Sequence, residues 1–309
     1  MLTSFKIKKL FGLYDYELVF SNSDNDKIRF ITATNGYGKS TILRLIDAVF
    51  NHHLEFFFQI PFQELLLTVD NAVLQIKQEK IISIDSQEEE IEDKDEDVAI
   101  EFGIGMSPHL DIIKLSSEDV RSGSKQLDNV LQQIEMFFSS ETCKFIDDRR
   151  LLRENTDASE LVRLSDLLKE KLLRPDEHTE DQVKALKQIV ERSCFANKRR
   201  EIRPDYGFRF VMDNEDHTKL AMSSLSSGEQ HIMLISLYML FEAPTMAIVL
   251  IDEPEMSFHL TWQGDYLKNL RQIVGLRNVQ CIIATHSPII FDSEYSIAID
   301  LYAQMHPEE

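Results

Sequence analysis

Cysteine is scarce in this chain: Cys143, Cys194 and Cys281 lie far apart in 309 residues and form no CxxC pair. That spacing excludes a disulfide framework and a zinc site built on paired thiols, and it fits a reducing cytosol best. Long hydrophobic runs are missing as well. No apolar stretch approaches the roughly 18 residues that a membrane span needs. The N-terminal MLTSFKIKKLFGLYDYELVF carries charges within its apolar part and has no small-residue cleavage site, so no signal peptide is expected. Basic charge is also in deficit. The formal net charge of −20 argues against tight non-specific binding to nucleic acid, which depends on Lys and Arg contacts and released counterions. It leaves room for a local basic face on an assembled protein. Much of the acidity is local: 85–97, DSQEEEIEDKDED, holds nine acids and one lysine and reads as a solvated loop.

What is present is ordinary for a globular protein of one large or two modest domains, with 43% hydrophobic and 28% charged residues. Residues 3–20 read as two strands with a turn near Gly12, and 27–33, KIRFITA, as a short strand. Further strands are expected at 65–70, 73–84 and 97–103. From 106 to 200 the pattern turns helical, with DNVLQQIEMFF, ELVRLSDLLKEKLL and DQVKALKQIVERSCF as amphipathic segments. GFRFVMD at 207–213 returns to strand, followed by helix at 228–242, strand at 246–251, helix at 260–274 and strand at 279–284. That alternation predicts an α/β core with a parallel sheet. The expected domains are a core of 1–105 and 201–309 and a helical insert of 106–200.

The first chemical motif is ATNGYGKST, 33–41. It matches G-x-x-x-x-G-K-[ST] except that Ala33 stands where the first glycine is expected. Asn35, Gly36, Tyr37, Gly38, Lys39, Ser40 and Thr41 are the candidate nucleotide-binding residues. Gly36 and Gly38 permit a tight loop, Lys39 reaches the β- and γ-phosphates of ATP, and Ser40 can ligate Mg²⁺. A strand before and a helix after place the loop N–H groups and the helix N-terminus against the phosphates. Ala33 would matter only if its position required a positive φ, and the loop is expected to tolerate it.

A second motif, AIVLIDEPE at 247–255, ends a buried strand in two carboxylates. Asp252 is expected at the Mg²⁺ shared with Ser40, and Glu253 at the attacking water, which it would orient or deprotonate. A third, VQCIIATHSP at 279–288, places His286 at a strand exit, where it could hydrogen-bond the γ-phosphate; His259 reads as a turn residue.

MSSLSSGEQHIM, 222–233, is at face value a serine N-cap with an acidic first turn. The order of phosphate loop, LSSGEQ, DEP and THS nevertheless resembles the ABC-type ATPases. The resemblance implies a P-loop NTPase fold of that type with a helical insert. It also implies that Ser227 and Gly228, with Glu229 opening the helix, meet a nucleotide held by a second copy of the chain. LIDEPEMSFHLTWQ and IIATHSPIIF are similar to the non-transporter branch, near the SMC-like and RecF-like ATPases. They resemble most the ATPase modules of OLD-family nucleases and of anti-phage systems such as PARIS, Septu and the retron-associated ATPases. The coverage is 1–50 and 205–291. FIDDRRLLR, 145–153, is similar to a strand-plus-arginine segment of these proteins, and Gln59 and Gln63 are candidates for the glutamine that senses Mg²⁺. The insert has no CxxC hook, and only 23 residues follow His286, with no metal-binding nuclease domain expected among them.

The resemblance thus implies a cytoplasmic, Mg²⁺-dependent ATPase that closes as a homodimer or higher homo-oligomer and controls a separate, nuclease-like effector in phage defence. The competing expectation is a RecF-like or SMC-like DNA-repair ATPase that binds nucleic acid directly. Its support is ERSCFANKRREIRP, with Arg192, Lys198, Arg199, Arg200 and Arg203; acid-paired surface residues would have the same look. A transporter subunit is disfavoured by the insert and by the DEPE form, and no membrane partner is expected.

Overall fold

The computed structural model describes residues 1–20, 27–80, 98–106, 109–138, 142–147, 156–193 and 197–306. The acidic run 85–97, the arginines within 148–153 and Cys194 lie outside the described residues.

In chain order, the first half carries β1 (Leu2–Leu10), β2 (Tyr14–Val19), β3 (Ile28–Thr32), α1 (Lys39–Phe50) and the single turn α2 (Phe56–Gln59). There follow β4 (Glu64–Val69), β5 (Ala72–Lys80), β6 (Val98–Met106), β7 (His109–Ser116), α3 (Ser117–Ser122) and α4 (Lys125–Phe138). The second half carries β8 (Cys143–Asp147), α5 (Thr156–Leu173), α6 (Thr179–Arg192), β9 (Lys198–Arg203), β10 (Gly207–Met212) and β11 (Lys219–Leu220). It closes with α7 (Ser227–Leu237), β12 (Ile248–Asp252), α8 (Leu260–Arg277), β13 (Gln280–Thr285), β14 (Ala298–Asp300) and α9 (Leu301–Met305). These elements form two compact units, one of 1–26, 33–143 and 300–309, the other of 27–32 and 144–299. The segment 106–200 therefore contributes strands and helices to both.

The first unit is built on a six-stranded sheet in the order β2-β1-β4-β5-β6-β7, antiparallel throughout. In β4, ELLLTV, every second side chain is buried, the pattern of a sheet with one covered face. Asp70, at φ 49, makes the tight turn into β5. On the covered face Phe57 meets Phe62 and Phe102 edge-on, and α4 packs on β6 and β7. Residues 109–116 form a strand where the sequence pattern predicted helix. The strand is an edge: of its eight residues only Leu115 is buried, and Ile112 is 60% exposed. With no core to impose alternation, HLDIIKLS carries no clean period of two.

The second unit holds a five-stranded sheet, β14-β3-β13-β12-β8, in which β3, β13 and β12 run parallel. Every residue of β12 and β13 is buried, as a parallel sheet covered on both faces requires. With it packs an apolar core that α5 to α8 share, including Leu164, Leu186, Met233 and Leu270. A small sheet, β11-β10-β9, rests on α5. There Ser165 Oγ donates to Phe208 O and accepts from Phe208 N, both at 2.9 Å. Gly207, at φ +77, allows this approach: a Cβ would stand 2.1 Å from Ser165 O. Among the described residues no helix is long and apolar enough to cross a membrane, and Cys143 and Cys281 are free thiols.

Candidate functional site

In the first unit, residues 33–38 form the loop that opens α1. Gly36 and Gly38 have φ values of +95 and +82, while Ala33 is not among the positive-φ residues. The alanine therefore carries no backbone penalty, and the glycines stand where the left-handed region is needed. At Gly38 a Cβ would also press on Leu10 Cδ2 at 3.0 Å. Gly38 is the N-cap of α1, with no side-chain cap hydrogen bond and no acid in the first turn. The positive end of the helix dipole is thus left to the loop. Lys39 is buried, and its Nζ donates to Ala33 O (2.8 Å) and Thr34 O (3.3 Å) of the same loop. Asn35 and Gly36 are exposed, Tyr37 half-buried, and Ser40 and Thr41 lie in the first turn of α1.

Three further tyrosines gather around Tyr37 of this loop, a feature the motif gave no sign of. Tyr16 Oη donates to Tyr37 O (3.0 Å), and burial pushes its phenol well above the ordinary range. Tyr14 stacks on Tyr16 and meets Tyr37, each with centroids 5.6 Å apart, and Tyr302 lies edge-on to Tyr37 at 5.8 Å. The period-two spacing of Tyr14 and Tyr16 in YDYELV was the available signal, since it places both on one face of β2. Gln59 and Gln63 are exposed. Gln78 instead organises the neighbouring turn, donating to Phe57 O and Ile60 O and accepting from Phe62 N.

The second unit brings together the strand-end groups. Asp252 pairs in register with Ala284, and Thr285 with Thr32, so β12, β13 and β3 end level with one another. Asp252 is buried. Glu253 turns left-handed at φ 46, and its N–H donates to Ala284 O (2.8 Å). His286 Nδ1 lies 4.0 Å from Glu253 Oε1 and 3.1 Å from Oε1 of Glu255, a residue to which the sequence reading gave no role. His259 caps α8, its ring accepting from the Thr261 N–H, as expected of a turn residue.

The serine-glycine segment lies in the same unit. Ser226, one residue before the expected pair, is the N-cap of α7, and it forms a capping box with Glu229. Ser226 N donates to Glu229 Oε2 at 2.8 Å. Both Glu229 oxygens also take Lys198 Nζ, at 2.6 and 2.7 Å. Glu229 is buried and its carboxylate is engaged in shaping the loop. Ser227 is exposed, Gly228 buried, and Gln230 Nε2 ties the loop down through Met222 O and Leu225 O. Next to them His231 is fully buried, and burial lowers its pKa to about 4. Four of the five residues of the basic cluster are engaged: Arg199 with Asp213 (3.1 Å), Arg200 with Glu191 (3.0 Å), Lys198 with Glu229, and Arg192 with the amides of Asn269 and Gln272.

Among the described residues no cluster of three or more His, Cys, Asp or Glu side chains is poised to hold a metal ion. Mg²⁺ carried by a nucleotide needs only one or two carboxylates beside phosphate oxygens.

A family model described as "AAA domain, putative AbiEii toxin, Type IV TA system" matches residues 34–292. The chain belongs to this AAA family. The matched span begins at Thr34, inside the phosphate loop, and runs beyond His286, so it takes in 34–41 of that loop and the whole of the 222–233, 247–255 and 279–288 segments. Membership makes the chain a protein of the AAA ATPase family with a P-loop NTPase fold. Solved structures similar to this AAA protein include the SMC head domain from Thermotoga maritima, at 14% identity over 96% of this chain and 92% of that one, with a TM-score of 0.41. Another is an SMC head bound to the C-winged helix domain of ScpA, at 12% identity over 97% and 93%, with a TM-score of 0.48. No residue of the AAA chain is assigned from them.

Proposed function

We propose that this AAA protein is an ATP-gated switch: it binds ATP–Mg²⁺ on residues 35–41, the loop and the first turn of α1, closes as a homodimer over the nucleotide and reopens on hydrolysis. The observation that carries the reading is the N-terminus of α1, which is uncapped, free of acids and preceded by two glycines at positive φ. Such a terminus fits a polyphosphate. Lys39 is already desolvated beside it and would exchange its loop carbonyls for phosphate oxygens.

Mg²⁺ would be held by the Ser40 hydroxyl, in the first turn of α1, and by the Asp252 carboxylate, buried at the end of β12; the bound ion would neutralise charge on the phosphate oxygens. Glu253 would hold the attacking water and take its proton, and His286 would contact the terminal phosphate. Ser227 and Gly228 would serve a nucleotide bound to the second copy, on a loop held in shape by Glu229, Gln230 and Lys198. A separate effector in a defence system is in keeping with a family whose description includes a toxin–antitoxin system. Against direct DNA binding, three cations of the basic segment, Lys198, Arg199 and Arg200, are met by acids.

The test is ATP turnover by the purified protein. Wild type should hydrolyse ATP only with Mg²⁺; Lys39→Ala should lose productive ATP binding, with affinity far below that of wild type; Glu253→Gln should bind it without turnover. Wild-type turnover in Glu253→Gln would refute that assignment. Co-purification of Glu253→Gln with the products of neighbouring genes, with and without ATP, tests the effector. A protein retained only with ATP supports the switch, and capture of DNA instead would favour the repair reading.

A further inference from the structure

The end of β13 is organised by Glu255. β12 ends at Asp252, Glu253 reverses the chain, and Pro254 opens a single 3-10 turn, Pro254–Ser257, that carries Glu255 to the exit of β13. The side chain of Glu255 is only 3% exposed. Its Oε1 accepts from Thr285 Oγ1 at 2.6 Å and from His286 N at 2.8 Å, and it stands 3.1 Å from His286 Nδ1. Its Oε2 has no hydrogen-bond partner among the described residues. The histidine ring, by contrast, is 42% exposed. A buried carboxylate is a costly tether where a neutral side chain could join turn to strand. Here one oxygen accepts from the backbone N–H of His286 and stands within hydrogen-bond distance of that residue's ring nitrogen.

We propose that Glu255 is a positioning residue for His286, holding Nδ1 as the hydrogen-bond donor so that Nε2 is the ring nitrogen left for the nucleotide or its attacking water. The two ring nitrogens are not equivalent, and the hydrogen bond made by one decides what the other can do. With the proton fixed on Nδ1, a neutral ring accepts at Nε2, and the orientation needed at the reacting atoms is set before the nucleotide arrives. A ring released from Glu255 would divide between tautomers and rotamers. The functional part of the inference rests on the reading of His286 as a nucleotide-facing residue.

The experiment combines histidine ring ¹⁵N NMR, without nucleotide and at a pH where the ring is neutral, with steady-state ATP turnover. The His286 signal is assigned by its loss in His286→Ala. Wild type should show the proton on Nδ1; Glu255→Met, which has no acceptor oxygen and only a weakly accepting sulfur, should show a mixture; Glu255→Gln, which keeps an acceptor oxygen, should restore the wild-type form. In turnover, Glu255→Met should lower kcat by about 10- to 100-fold with KM nearly unchanged, and Glu255→Gln should recover most of that loss. Added to His286→Ala, either substitution should change kcat by less than about 2-fold, because Glu255 acts through the ring. A wild-type ring protonated on Nε2, an unchanged tautomer in Glu255→Met, or full multiplicative losses on the His286→Ala background would overturn the proposal. If Glu255→Met does not fold, the wild-type tautomer and the Glu255→Gln cycle still decide it. If wild type does not hydrolyse ATP, the proposed function fails, whereas the NMR result needs no nucleotide and judges Glu255 separately.

Discussion

The helices α1 and α7 both begin behind serine- or glycine-bearing loops, and their N-termini are finished in opposite ways. That of α1 has no side-chain cap and no acid in its first turn, and its one buried charge, Lys39, is cationic. That of α7 is closed on itself, with Ser226 and Glu229 capping each other and Lys198 neutralising the carboxylate. An uncapped terminus keeps N–H groups and dipole available for an anion. A capping box already satisfies two of those donors, so the loop before it is rigid and shaped in advance. The first arrangement suits a loop that wraps the phosphates itself. The second suits a preformed surface that meets a nucleotide bound elsewhere.

The largest effect should come from Lys39→Ala. Loss of a charged contact to two phosphate oxygens is worth about 3–4 kcal/mol, or roughly 10²- to 10³-fold in ATP affinity by titration. Gly228→Asp, on the other loop, should leave that affinity nearly intact. Equal losses at both positions would break the comparison. Next, Glu229→Ala removes a cap and strands Lys198, which should cost about 2–3 kcal/mol in a denaturant melt while sparing ATP binding.

The buried His231 follows. Its folded pKa of about 4 lies below its unfolded value, so the unfolded chain takes up the proton first. Its contribution is therefore fully present above the unfolded pKa of about 6.5 and is lost as pH falls toward about 4, at roughly 1.4 kcal/mol per pH unit. Against wild type, His231→Leu should flatten that limb of the stability curve, by about 2 kcal/mol at pH 5. An unchanged slope would contradict the burial argument. The smallest effect belongs to Ala33→Gly. Since Ala33 has no positive φ, glycine should not tighten ATP binding and should cost about 0.5–1 kcal/mol of stability through added chain freedom.

The chain's own order of residues revealed the strands and loops whose side chains answer to a single demand. β12 and β13 are continuous apolar runs because a buried parallel sheet wants nothing else, and Gly36, Gly38 and Lys39 stand at fixed spacing because phosphate does. What escaped is what depends on distant partners. β7 follows no period because it is a half-exposed edge. Residues 198–203, KRREIR, look like a phosphate track, yet their neighbours in space are Asp213, Glu191 and Glu229. The SSGEQ segment satisfied a cap and a nucleotide signature at once; the cap is present, formed by Ser226. Glu255 looked like one more acid in DEPE until the turn at Pro254 brought it to His286.

The most direct test of the switch is the mass of Glu253→Gln by light scattering, with and without ATP–Mg²⁺. A dimer closed by nucleotide should double the mass with ATP–Mg²⁺ and return to that of one chain when nucleotide is removed. A single-chain mass at saturating ATP, in a protein shown by titration to be fully bound, would contradict the switch.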